Sequence, residues 1–463
     1  SSDLKTSDDG SHVLAILGNG DGGEYALYLR GPSGTWTQLS AFEDKLVDAT
    51  FGRDGALYAL SRKAAPRGKV LRIPLATPAL DKATVLVPEG EASIAGFSPT
   101  ATRLYVVEQL GGPTRMRMVG LDGKELGVVP TPPVSSVGGA VYLGGDDLLL
   151  GTSSYTEPVA VYRYGAKDGK LAKTALGRTS PVDTRNVVVD RVMCTSKDGT
   201  QVPLNILHGR GTKLNGNNPT LLTGYGGFNI SLSPGFNVMN LAFIEQGGVV
   251  AIANLRGGAE FGEEWHTNGS LTKKQNVFDD FYACAKLLVD KKWTKPERLA
   301  IQGGSNGGLL MGAALTQHPE MYRTVLAHVG IYDMLRVELT PNGQFNTTEY
   351  GTVKNPEHFQ AMYGYSPYHQ VKNGVKYPSV LFTSGENDPR VDPFHSRKMV
   401  ARLQEATGSK RPVLLRTNNM GHGMGTPLDQ EIEEEVDVYA FLFNELGMKY
   451  KPVNGKVPAP ASK

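Results

Sequence analysis

Cysteine is scarce in this chain, with two residues among 463. Cys194 and Cys284 can form one bridge at most, so a disulfide framework is excluded and buried thiols are expected. No apolar run approaches the roughly 18 residues that a membrane span needs, and we expect no membrane partner. The chain also lacks an excess of charge of one sign, because 48 basic and 46 acidic residues give a net charge of +2. This balance argues against a nucleic-acid partner.

The compartment is not predicted by the first residues of the sequence. Its first residues, Ser1-Ser2-Asp3-Leu4-Lys5, show no signal-peptide pattern. Because a shortened N-terminus would remove such a signal, the sequence leaves both the cytoplasm and the periplasm open.

A chain of 463 residues predicts two domains, and the first carries a repeat. Turn-forming clusters recur within residues 1–180 at spacings of 45, 46 and 46 residues, each followed by two short apolar strands. The clusters lie at 7–10, 52–55, 98–101 and 144–147. Units of about 40–50 residues with several strands are typical of β-propeller blades, so we predict four blades rather than an antiparallel sandwich.

From about Val187 the pattern changes to strands that alternate with helices. After a hairpin around Lys197-Asp198-Gly199, strands are predicted at 220–222, 248–253, 299–301, 324–327, 379–383 and 413–415. Helices are predicted at 276–291, 306–317, 393–406 and 430–446. This alternation is typical of a mostly parallel sheet covered on both faces. A polar, Pro-rich tail at 451–463 is predicted to be disordered.

One serine stands at a tight turn between a strand and a helix. Residues 303–308 read Gly-Gly-Ser-Asn-Gly-Gly and fit the G-x-S-x-G nucleophile elbow. Chance matches occur in a chain with 56 glycines, but the strand before and the helix after are the context that the motif requires. The helix N-terminus would also direct N–H groups at an anion beside Ser305. The motif therefore predicts a hydrolase with Ser305 as nucleophile.

A serine hydroxyl needs a base, and the base needs an orienting acid. In α/β-hydrolases the chain order is serine, acid, histidine. Among the histidines after Ser305, only His422 is bracketed by glycines, in a loop between the last predicted strand and the last helix. Ligands bind at such loops at the carboxyl end of the sheet, so His422 is the predicted base.

The acid is expected in the loop after the strand at 379–383. Asp388 is best placed by its position in the chain. Glu386 and Asp392 in the same loop are alternatives, and Asp333 follows an earlier strand.

An oxyanion site needs two donors. The backbone N–H of Asn306, directly after the nucleophile, is one. The glycine-rich loop at 221–228 is expected to supply the other. The Tyr225 hydroxyl and a backbone N–H of that loop are both candidates, and the residues do not decide between them.

With these residues in view, the second half resembles the prolyl oligopeptidase family of serine peptidases. The resemblance covers most of residues 190–445, through blocks at 225–231, 254–266, 274–281 and 303–308 and the loops of Asp388 and His422. It implies a fold class of α/β plus all-β, with propeller blades over 1–185, about four of an expected seven, before an α/β-hydrolase domain over 186–450.

The resemblance also implies roles for individual residues. Ser305, Asp388 and His422 would form the triad, and Tyr225 would donate its hydroxyl to the oxyanion beside the Asn306 N–H. Arg390 would bind the carbonyl before the proline of the substrate. The apolar pocket for the proline ring would be lined by Phe228, Ile331, Tyr350 and Val391. No metal or cofactor is implied.

The implied function is a serine endopeptidase that cleaves short peptides after proline. An acylaminoacyl peptidase or an esterase of the same fold is the nearest alternative. A propeller interaction module with an inactive hydrolase domain is an alternative from another class.

The chain departs from the family pattern in two ways. Asn346 stands where mammalian members stack a tryptophan on the proline ring, and Phe345 beside it could compensate. About three blades and the family's N-terminal segment are absent from the sequence. We therefore expect a truncated N-terminus and a missing N-terminal part as a partner.

Overall fold

Residues 2–20, 23–423 and 425–452 are described by the structure, a computed structural model. The strands of the first half form four antiparallel groups of four, and a single pair, Tyr25 with Leu46, links the first two groups. The groups are β1 (Ser2–Thr6), β2 (Val13–Gly18), β3 (Tyr25–Arg30) and β4 (Trp36–Ser40); β5 (Leu46–Phe51), β6 (Ala56–Ser61), β7 (Lys69–Pro74) and β8 (Thr84–Val87); β9 (Ser93–Pro99), β10 (Arg103–Gln109), β11 (Thr114–Gly120) and β12 (Glu125–Val128); and β13 (Ser135–Gly144), β14 (Asp147–Ser154), β15 (Ala160–Gly165) and β16 (Lys170–Gly177). The predicted propeller blades are confirmed.

Apolar side chains hold neighbouring blades together face to face. Separate buried clusters lie between the first and second, the second and third, and the third and fourth blades. Side chains alternate across a strand, so each blade also has an opposite face. The opposite face of the first blade exposes Leu4 and Trp36, and the opposite face of the fourth blade exposes Val141 and Leu143.

Leu14 and Leu17 lie on the same strand, β2, but on opposite faces, which allows a matched test of blade packing. Leu14 is fully buried between the first two blades, whereas Leu17 is 38% exposed. We expect Leu14→Ala to lower the free energy of unfolding by about 2–5 kcal/mol, because it leaves a cavity. Leu17→Ala should cost less than about 1 kcal/mol. Urea unfolding followed by circular dichroism measures both, and equal losses would contradict the packing described here.

The second half is built around one eight-stranded sheet, ordered β17-β18-β20-β19-β21-β22-β23-β24. The first two strands and the β18–β20 pair are antiparallel, and the remaining pairs are parallel. The strands are β17 (Val187–Thr195), β18 (Gln201–Gly209), β19 (Thr220–Gly224), β20 (Val249–Ala253), β21 (Leu299–Gly304), β22 (Thr324–His328), β23 (Ser379–Gly385) and β24 (Val413–Asn418). This is the predicted α/β-hydrolase sheet.

Helices cover both faces of this sheet and enclose two apolar cores. They are α1 (Val238–Glu245), α2 (Glu263–Thr267), α3 (Gln275–Asp290), α4 (Asn306–Gln317), α5 (Thr347–Tyr350), α6 (Pro356–Tyr365), α7 (Pro367–Gln370), α8 (Phe394–Ala406) and α9 (Leu428–Glu445). None of the helices within the described ranges has the length and apolar character needed to cross a bilayer. The tail predicted at 451–463 lies outside the described residues from 453 onward.

Polar contacts join the blades to the hydrolase domain. Arg62, after β6, pairs with Glu263 at 2.6 Å. The Glu263 N–H donates to the Pro66 carbonyl at 2.8 Å, and the Gly111 N–H donates to the Glu260 carbonyl at 2.8 Å. The second and third blades therefore contact residues 260–263, at the start of α2.

Candidate active site

Ser305 occupies the turn between β21 and α4 with a strained backbone. Its φ and ψ are 58° and −120°, a region that residues with a side chain rarely adopt. Its N–H donates to the His328 carbonyl at 2.9 Å. The helix then passes so close to the end of β22 that a Cβ at Gly308 would lie 2.5 Å from the Gly330 Cα. The glycines of the motif therefore allow a close approach of backbone to backbone.

Two glycines of this turn allow a matched test. A Cβ at Gly308 meets backbone, whereas at Gly304 its nearest neighbours lie at 3.5 Å, an ordinary contact. We expect Gly308→Ala to destabilise the protein by about 1–3 kcal/mol, because packed backbone must move. Gly304→Ala should change the stability far less. Chemical unfolding of the two variants measures the difference, and similar stabilities would show that the turn tolerates expansion.

Asp388 connects the predicted base to the cavity beside the serine. Its Oδ2 lies 2.6 Å from His422 Nδ1, so the ring donates from Nδ1 and its Nε2 is left for other partners. Its Oδ1 accepts from the N–H groups of Arg390 and Val391 at 2.8 and 2.9 Å. The Asp388 side chain is almost fully buried.

The loop that follows β23 and the loop that follows β24 are joined through their backbones. The Glu386 N–H donates to the Asn418 carbonyl at 2.8 Å, and the Asn387 N–H donates to the Met420 carbonyl at 3.1 Å. A Cβ at Gly385 would lie 2.2 Å from the Gly421 carbonyl oxygen, so only glycine fits there. The His422 loop is therefore held against the Asp388 loop.

Ser305 and His422 are not joined by a hydrogen bond in the described part of the chain. Ser305 lines a cavity of about 280 Å³ with Arg390 and Val391. His422 lines another, of about 240 Å³, with His328. In the absence of substrate, catalytic hydrogen bonds are often long and form only in the complex. The structure thus brings Asp388 to His422 and the Asp388 loop to Ser305.

The other carboxylates considered as acids have different partners. Asp333 is fully buried and pairs with Arg336 at 3.0 Å and with Lys398. Asp392 accepts from the Phe394 N–H at 3.0 Å at the start of α8. The Glu386 side chain is half exposed. Among these carboxylates, only Asp388 contacts His422.

The predicted oxyanion loop is clamped from two sides. Asn306 donates from Nδ2 to the Tyr225 carbonyl at 2.6 Å and accepts at Oδ1 from the Tyr350 hydroxyl at 3.0 Å. The buried Lys274 donates from Nζ to the Gly226 carbonyl at 2.9 Å. These contacts hold the backbone of the loop next to the N-terminus of α4, where Asn306 begins the helix.

The cavity beside Ser305 collects most of the predicted binding residues. Its lining residues are Tyr225, Phe228, Ile230, Ser305, Ile331, Asn342, Asn346, Arg390 and Val391. Tyr350 lies behind Phe228, ring edge to ring face, with centroids 5.5 Å apart. Phe345 is 48% exposed and outside this lining, so it does not take the place of a stacking ring.

A chain of charges that the sequence reasoning missed runs from the propeller to this site. Glu263, the partner of Arg62, contacts His266 at 3.2 Å, and His266 contacts Glu349 at 2.8 Å. Glu349 pairs at 2.7 Å with Lys274, which holds the Gly226 carbonyl. The partners lie far apart in sequence, so their pairing cannot be recognised there. The charged residues in the blocks at 254–266 and 274–281 were the only indication of this chain of contacts.

The position of His266 between two carboxylates keeps it protonated. Burial by itself lowers the pKa of His266, but the hydrogen bonds and charges of Glu263 and Glu349 outweigh it and raise the pKa to about 9. His266 therefore carries a positive charge at neutral pH, which balances the two acidic neighbours.

The raised pKa makes part of the stability dependent on pH. Because the folded pKa exceeds the ordinary value of 6.5, protonated His266 contributes fully below pH 6.5, and its contribution is lost as the pH rises through about 9. We expect this contribution to be on the order of 3 kcal/mol. The gap in unfolding free energy between the parent and His266→Gln should shrink across this range. Urea unfolding at several pH values measures it, and a constant gap would contradict the assignment.

Comparisons with known proteins follow the same division of the chain. The model of the prolyl oligopeptidase family matches residues 234–449, and that of the prolyl oligopeptidase N-terminal β-propeller domain matches residues 2–175. A prolyl endopeptidase of Elizabethkingia meningoseptica is 32% identical over 455 residues, which cover 96% of this chain and 63% of the relative. For a prolyl endopeptidase of Elizabethkingia miricola the identity is 37% over 333 residues, 71% of this chain and 47% of the relative.

Solved structures show the same architecture. A prolyl endopeptidase structure superposes with a TM-score of 0.90 at 38% identity, covering 97% of this chain and 66% of that one. Prolyl oligopeptidase B of Galerina marginata, bound to a 35mer hydrolysis and macrocyclization substrate, gives a TM-score of 0.89 at 27% identity, covering 97% and 65%.

The fold and the site together define an α/β-hydrolase preceded by β-propeller blades. The two family models fall on these two units. The chain belongs to the prolyl oligopeptidase family. It spans 63% and 47% of the lengths of the two Elizabethkingia relatives.

Proposed function

We propose that this chain acts as a serine endopeptidase that cleaves short peptides on the carboxyl side of proline. The observation that carries the proposal is the double role of Asp388. One of its oxygens binds His422, and the other holds the backbone of Arg390 and Val391, which line the cavity of Ser305. A single carboxylate thus binds the proposed base and also the backbone that lines the cavity of the proposed nucleophile.

The chemistry begins with attack of Ser305 Oγ on the substrate carbonyl. His422 takes the hydroxyl proton at Nε2, which the Nδ1 contact with Asp388 leaves available, and a tetrahedral oxyanion forms. The Asn306 N–H and the Tyr225 hydroxyl stabilise that oxyanion, one such donor typically contributing about 3–4 kcal/mol. His422 then returns the proton to the leaving amine, and water releases the acyl group by the reverse sequence.

The walls of the cavity support proline at the cleaved bond. Phe228, Ile331 and Val391 give an apolar surface, and Tyr350 packs behind it. A proline ring is compact and has no donor, so it suits an apolar pocket. Arg390, on the same cavity, would donate to the carbonyl that precedes the proline. The relatives named prolyl endopeptidase support the same class of substrate.

Two variants and one probe test this proposal. Ser305→Ala should abolish cleavage of a Gly-Pro anilide, with a loss in kcat of about 10⁶-fold, and Asp388→Asn should lose about 10⁴-fold. A fluorophosphonate should label the parent and the exposed-serine control Ser33→Ala equally, and leave Ser305→Ala unlabelled.

The alternatives predict other outcomes. Cleavage of an acyl-alanine anilide without cleavage of the Gly-Pro anilide would indicate an acylaminoacyl peptidase or an esterase. A folded parent protein that is not labelled at Ser305 would indicate an interaction module with an inactive hydrolase domain.

A further inference from the structure

The cavity beside Ser305 is not apolar throughout. Two side-chain amides, those of Asn342 and Asn346, are among its lining residues. Asn346 is only 5% exposed, and it lines the cavity. A polar group this buried normally has a hydrogen-bond partner.

The two buried amides near the nucleophile differ in how they are satisfied. The Asn306 amide donates a hydrogen bond to the Tyr225 carbonyl and accepts one from the Tyr350 hydroxyl. The Asn346 side chain makes no hydrogen bond to any residue in the described ranges, and it does not cap the helix α5 that it precedes. Its position on the wall of the cavity leaves solvent, or a ligand that displaces it, as its partner.

We propose that Asn346 makes this pocket selective for a proline ring that carries a hydroxyl group. The inference rests on the proposed function and refines its substrate class. A plain proline ring would cover the Asn346 amide and offer it no partner, which costs binding energy. A ring hydroxyl both donates and accepts, so it can pair with either end of the amide. Hydroxylated prolyl peptides would then be better substrates than their unsubstituted counterparts.

The test compares five anilide substrates that differ only at the ring: proline, the two configurations of 4-hydroxyproline and the two configurations of 4-methylproline. The methyl group matches the hydroxyl in size but forms no hydrogen bond, so it shows whether the pocket simply has room for a larger ring. We expect kcat/KM for one hydroxyproline isomer to exceed that for the matching methylproline by about 5- to 10-fold. In Asn346→Leu this ratio should fall to about one or below, and in the exposed control Phe345→Ala it should be retained.

Each ratio is measured within one enzyme preparation, so a partly folded variant does not distort it. Equal rates for hydroxyl and methyl in the parent would overturn the inference, as would a hydroxyl preference that survives in Asn346→Leu. Cleavage of all five substrates without preference would overturn this inference and leave the proposed function standing. Failure to cleave any of them, with no fluorophosphonate label on Ser305, would overturn the proposed function and this inference with it.

Discussion

The strained backbone at Ser305 is the constraint on which the site depends. A side-chain-bearing residue in this conformation is held only when its surroundings fix it. Here the end of β21, the packing of α4 against Gly330 and the bond to the His328 carbonyl do so. The strain places the hydroxyl at the surface of the cavity and starts a helix directly behind it. The sheet and helices of the second domain therefore hold the turn at Ser305 in this conformation.

Contacts that hold the site also reach the propeller. Lys274 lies under the predicted oxyanion loop and connects it, through Glu349 and His266, to Glu263. Glu263 then meets Arg62 of the second blade. Buried charges are expensive unless paired, and these alternate in sign from one partner to the next. The contact between the domains and the geometry of the oxyanion loop therefore share one set of interactions.

The sequence was most informative where local patterns determine the structure. The parallel strands and the main helices were predicted within a few residues, because buried strands are continuously apolar and α4 begins at a recognisable motif. In each blade only the two middle strands were predicted. Outer strands such as β16 are largely exposed, and apolar residues alternate with lysine and threonine only irregularly in it, so the strand carries little hydrophobic signal. Helix α1 was missed because apolar residues lie on more than one of its faces. The charge chain joins residues distant in sequence, and single-sequence patterns do not encode such pairings.

The two thiols have a practical consequence. Cys194 and Cys284 are both free, and both are fully buried in the core of the second domain. Burial raises the pKa of the Cys284 thiol, which makes it a poor nucleophile toward alkylating reagents. A cysteine introduced at an exposed position on a blade would therefore react first with a maleimide dye. With a second exposed cysteine on the hydrolase domain, a pair of dyes would then report the distance between the two domains in the otherwise native protein.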